Sequence, residues 1–149
     1  MNVSLQEWAR NGRLVEHKSS PREISDLLGV PDRDIQNCQV AGLSPDWQLG
    51  IAYNAVLRVA TAALAARGYR ASRESHHYWT LQTLTFTMGL DKASIGQLDQ
   101  FRKKRNISDY ERAGIVSDQE AKEMIALARK MRKDVGKWLR VHYPELMGK

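Results

Sequence analysis

Cysteine is nearly absent. Cys38 is the only one in 149 residues, which excludes an intramolecular disulfide and a cysteine-based metal cluster and suits reducing surroundings. Long apolar runs are lacking too, since none reaches the ~20 residues of a membrane-spanning helix. The opening MNVSLQEWAR carries a Glu and has no apolar signal-peptide core. The expectation is a cytoplasmic protein with no membrane partner. There is no Walker loop, no Gly-rich dinucleotide fingerprint, no HExxH, no G-x-S-x-G, no internal repeat and no low-complexity tract. No cofactor and no metal are expected.

What is present is an ordinary globular composition, 42% apolar and 27% charged, in a chain of a length that suits one domain with a sizeable core. The formal charge of +6 is unevenly spread. Residues 1–43 hold five Lys/Arg against six Asp/Glu, net −1, whereas residues 44–149 hold eighteen against eleven, net +7. The basic two thirds favour an anionic partner, nucleic acid being the commonest.

Helix punctuation is clear along the chain. Ser20-Pro-Arg-Glu23 reads as a capping box with Pro in the first turn, opening a short helix over about 21–28 that Gly29 stops. Pro31 opens a second helix ending near Gly42. Ser44-Pro45-Asp46 then starts a long helix closed by Gly68. In it Ile51, Ala55, Val59 and Ala63 form one ladder and Ala52, Val56, Ala60 and Leu64 its neighbour. That apolar face is wide, its alanines admit a close partner helix, and its excess over one thin layer suggests a homodimer.

TLTFTM, residues 83–88, alternates like a strand, but Leu81, Leu84 and Met88 also fit a helical stripe and no second strand offers itself. Helix is therefore expected over 73–88, and another over about 92–104. Ser117-Asp-Gln-Glu120 is a further capping box, opening a long amphipathic helix with Ala121, Met124, Ile125, Ala128, Met131, Val135, Trp138 and Leu139 on one side and lysines and arginines opposite. The predicted fold is an all-α, up-and-down bundle over 44–149 with a small helical N-terminal extension over 1–43.

Three places hold candidate chemistry. PREISDLLGVPDRDIQN has the spacing of a helix-turn-helix, which makes a DNA-binding regulator using residues 21–38 one reading, although Asp32 and Asp34 would repel a DNA backbone. A helical hairpin packed on the bundle is the other. His76 and His77 are adjacent, about 100° apart on a helix, and so cannot share a metal as an i, i+4 pair would. His17 and His142 have no informative neighbours. The third place is FRKKRNISDY, residues 101–110, where Arg102 and Arg105 share a helix face, Lys103 and Lys104 point elsewhere, and Asn106 is placed where the chain leaves the helix.

IAYNAVLRVATAALAARGYR with the following HHY, then LDQFRKKRNISDY, then the SDQE-led final helix resemble the HEPN domain family, over roughly residues 46–143. That family comprises small helical-bundle proteins associated with prokaryotic nucleotidyltransferases, toxin modules and RNA cleavage. The resemblance implies a homodimer that brings two Arg motifs face to face. It implies an RNA-associated protein of toxin–antitoxin or defence type, with RNA and a nucleotidyltransferase or antitoxin protein as partners. In catalytic members an Arg, then a polar residue, precedes a His with four to six residues between Arg and His. Carried over, Arg105 and Asn106 match and Arg102 is a second candidate Arg, but Tyr110 stands at the His position.

On that resemblance Arg105 and Tyr110 are the catalytic candidates for a metal-independent endoribonuclease. Arg102, Lys103, Lys104, Arg105 and Asn106 would bind RNA, with His76, His77 and Asp109 as lesser contributors. An Arg forks onto two phosphate oxygens and keeps its charge. A Tyr hydroxyl of pKa about 10 is ionised only about one part in a thousand at pH 7, so Tyr110 suits hydrogen bonding better than proton abstraction. A non-catalytic interaction module is the competing expectation.

Overall fold

The computed structural model describes residues 4–110 and 113–148, with the backbone alone for Asp109 and Tyr110. The chain is an all-α bundle built on α3, Pro45–Ala66. α1 is Leu5–Arg10, α2 Pro21–Asn37, α4 His76–Gln82, α5 Leu84–Thr87, α6 Lys92–Tyr110 and α7 Asp118–His142, and a 3-10 turn over Pro144–Met147 ends it.

α3 is the core helix because almost every side of it is apolar. Ala52, Tyr53, Ala55, Val56, Val59, Ala60, Ala63 and Leu64 have no exposed surface, and α2, α7, α6 and α4 pack around them. The ladder expected to seek a second copy is thus covered within one chain. By length and composition α3 can cross a bilayer, with a mean hydropathy of 1.5, contrary to the expectation that no segment qualifies, and 61% of that stretch is buried inside the protein. Ser44 Oγ caps its start by accepting from Trp47 N at 3.3 Å. Gly68, at φ +94°, turns the chain out of its end.

α2 corrects the expected hairpin. It is one helix of 17 residues running through Gly29 and Pro31, so no turn separates two short helices and the helix-turn-helix geometry is not formed. Pro31 removes one backbone donor, but Ile24, Leu28, Pro31 and Ile35 form an unbroken buried stripe whose packing outweighs the local stop signals. Asp32 is engaged within the chain, accepting from Arg132 Nη2 of α7 at 3.0 Å and pairing its charge with that guanidinium at 2.7 Å. Only half of the first capping box forms. Ser20 Oγ accepts from Glu23 N at 3.1 Å, while the Glu23 carboxylate lies 2.8 Å from His17 Nε2. At Ser117 and Glu120 both halves are present.

TLTFTM is not a strand. Its residues continue from α4 into α5 past Thr83, and the buried Thr83 and Thr87 hydroxyls donate to the carbonyls of Thr80 and Thr83 at 2.6 and 3.3 Å. A two-stranded sheet that the sequence did not signal lies elsewhere. β1, Leu14–Glu16, pairs antiparallel with β2, Tyr69–Ala71, with Val15 opposite Arg70. Three-residue strands carry too short an alternation to be read. This sheet and α1 enclose a small second core of Leu5, Trp8, Leu14 and Leu64. Arg13 lies 4.3 Å over the Trp79 ring there.

Candidate functional site on α3, α4 and α6

α6 extends to Tyr110, six residues beyond the expected end, so Asn106 sits within a helix and not at its exit. Continuous helical geometry keeps Arg102 and Arg105 on one side, and that side faces α3 and α4. The Arg102 guanidinium lies 5.4 Å over the Tyr78 ring of α4, and that of Arg105 lies 5.6 Å over the Tyr53 ring of α3. Arg105 also donates to Asn54 Oδ1 and Asn106 Oδ1, each at 3.4 Å.

The cationic run divides by direction. Arg102 Nε donates to Asp99 Oδ1 at 2.7 Å, and Lys103, 66% exposed, has its ammonium 3.5 Å from the other Asp99 oxygen. Lys104 reaches across to Glu120 at 3.2 Å, tying α6 to the first turn of α7. The expected grouping of Lys103 and Lys104 with the arginines as phosphate ligands is therefore not what the geometry assembles. Asp109 and Tyr110 carry the end of the expected motif, and their side chains lie outside the described residues.

In their place the fold brings His77 to Tyr53, the residue that Arg105 covers. The Tyr53 hydroxyl is 3.4 Å from His77 Nδ1, and the His76 and His77 rings meet edge to face at 4.7 Å. His76 is exposed and His77 half-buried. Burial, then the charges of His76, Arg105 and Arg102, lower the His77 pKa to about 4. Burial pushes the Tyr53 hydroxyl up to about 12. Tyr53 thus keeps its proton at neutral pH. Ser75, just before this pair, has the left-handed backbone that non-glycine residues rarely adopt, with φ 52°.

Chemically, the cluster offers two guanidinium groups and a neutral imidazole N–H. Those are hydrogen-bond donors, suited to a phosphate oxygen. A histidine with a pKa near 4 is a weak base, and at pH 7 it carries no proton to give as an acid. Among the described residues no group of three or more His, Cys, Asp and Glu is placed to hold a metal ion.

Tyr53, Asn54 and Tyr78 escaped the sequence reading as site residues. Tyr53-Asn54 interrupts the alanine ladder with two polar groups, and that interruption was the available signal. Arg105 and Asn54 also border a cleft of about 620 Å³ between α3 and α6. A larger opening of about 720 Å³, lined by Gln6, Arg10, Val15 and Tyr69, lies beside the small sheet, with none of these groups in it. The chain matches no protein-family model and no curated protein.

Proposed function

We propose that the protein is an RNA-associated, HEPN-like module of toxin–antitoxin or defence type that binds RNA phosphate at the Arg102–Arg105 face. The observation that carries this reading is that Arg102 and Arg105 share one half-buried face, with His77 joined to it through Tyr53. Binding stands ahead of cleavage in it. His77, its pKa lowered to about 4, is a weak base where metal-free RNA cleavage needs a proton acceptor. Pairing of two copies belongs to the same reading, but not through the α3 ladder, which is already covered.

The second reading is a non-catalytic module that docks a nucleotidyltransferase or another protein. It is favoured by the carboxylate partners that Arg102, Lys103 and Lys104 have within the chain, which reduce what they offer a phosphate backbone. A DNA-binding regulator based on residues 21–38 loses its geometric premise with the single helix α2.

The test is Arg105→Ala with a fluorescent single-stranded RNA. Affinity should fall by about 1–3 kcal/mol, the scale of a charge-assisted hydrogen-bonding pair, with the melting temperature little changed. Lys103→Ala should cost less. Unchanged RNA affinity together with a melted protein would make Arg105 a structural residue and sink the proposal.

A further inference from the structure

The cleft beside Arg105 has two unlike ends. Trp47, 67% exposed, and Ile51 form an apolar end. Asn54 and Arg105 form a polar, cationic one. Trp47, Ile51 and Asn54 follow the i, i+4, i+7 spacing of one face of α3, so the two ends are about 10 Å apart along the helix. Among the described residues Trp47 is the most exposed of the large apolar side chains. It is held on the first turn of a helix capped by Ser44, so its backbone is fixed while its ring stays open to solvent.

We infer that this cleft is a nucleobase subsite for single-stranded RNA, in which a base stacks on the Trp47 indole while its phosphate lies at Arg105. The inference rests on the RNA-phosphate reading above. Trp47 and Arg105 line one cleft, so an aromatic face and a guanidinium are offered together to a ligand that carries both an apolar base and an anionic phosphate. The acidic group in the cleft reinforces that polarity. Asp46 lies next to Trp47 and accepts from the backbone N–H groups of Gly114 at 2.6 Å and Val116 at 3.3 Å. Its charge disfavours a phosphate at the Trp47 end and leaves that end to the neutral base. A paired strand cannot use such a site, because its bases are stacked inside the duplex, whereas an unpaired base can splay onto an aromatic ring.

The experiment compares two fluorescent oligomers of equal length and equal phosphate count, oligoadenylate RNA and an abasic RNA backbone. The wild-type chain should prefer oligoadenylate. Trp47→Ala should weaken oligoadenylate binding roughly 5- to 100-fold, toward the abasic level, and leave abasic binding unchanged. Trp47→Phe should retain most of the preference. Equal losses for both oligomers, or unchanged oligoadenylate affinity, would overturn the subsite, and so would a Trp47→Ala effect on sedimentation in place of RNA affinity, which would make the surface a contact between copies. Arg105-dependent binding with no Trp47 dependence removes the subsite and leaves the phosphate reading standing. Failure of the wild-type chain to bind either oligomer removes both.

Discussion

Helix α3 meets two unlike neighbourhoods. Over most of its length it packs on α2 and α7 through alanine, valine and leucine with no exposed surface. At Tyr53 and Asn54 it turns polar groups toward His77 of α4 and Arg105 of α6. The first neighbourhood is held by burial, worth about 25 cal/mol per Å² of apolar surface removed from water and indifferent to pH. The second is held by long hydrogen bonds of 3.4 Å and ring–guanidinium contacts, which contribute little each and change with protonation. A single helix therefore separates the buried core that keeps the chain folded from the polar face on which the phosphate proposal rests.

The sharpest way to break that separation is Leu139→Ala. Leu139 on α7 has no exposed surface, and truncating it should cost about 2–5 kcal/mol in urea unfolding. RNA affinity of the folded fraction should not change. A loss of affinity in fully folded protein would show that the two regions are coupled.

Asp46→Ala probes the boundary between them. Its carboxylate holds Gly114 and Val116 in the connection from α6 to α7. Losing these bonds at a half-buried site should cost about 1 kcal/mol, and hydrogen exchange at those two amides should speed up while exchange in the α3–α7 core does not.

His77 tests the polar neighbourhood through pH. The unfolded chain takes up this proton near pH 6.5, the folded chain only near pH 4. Acidification across that window therefore favours the unfolded state. Stability should fall as pH drops from 6.5 to about 4 and level off below, and His77→Gln should flatten that segment of the profile. A phosphate bound beside His77 favours its charged form, so NMR titration should show the His77 pKa rising when RNA is added. A pKa unmoved by RNA would place the ligand away from this face.

Much of the fold was legible in the sequence, because helix caps and apolar periodicity are local. Ser44, Ser117 with Glu120, and Gly68 mark their helix ends as read, and the stripe on α7 is the buried one. Local signals failed where a tertiary contact outweighed them. Gly29 and Pro31 spelled a turn, but a continuous stripe packed on α3 kept α2 whole. The alanine ladders announced a partner, and nothing local said whether that partner was a second copy or the chain's own α2 and α7. The pairing of Arg102 and Arg105 on one face followed from helical spacing alone. The contacts of Arg102 with Tyr78 and of Arg105 with Tyr53, 24 and 52 residues away, depended on how α3 and α4 cross α6. Spacing along one helix is set by backbone geometry that every residue shares. Contacts between helices are set by which side chains fill the space between them, and only the assembled core decides that.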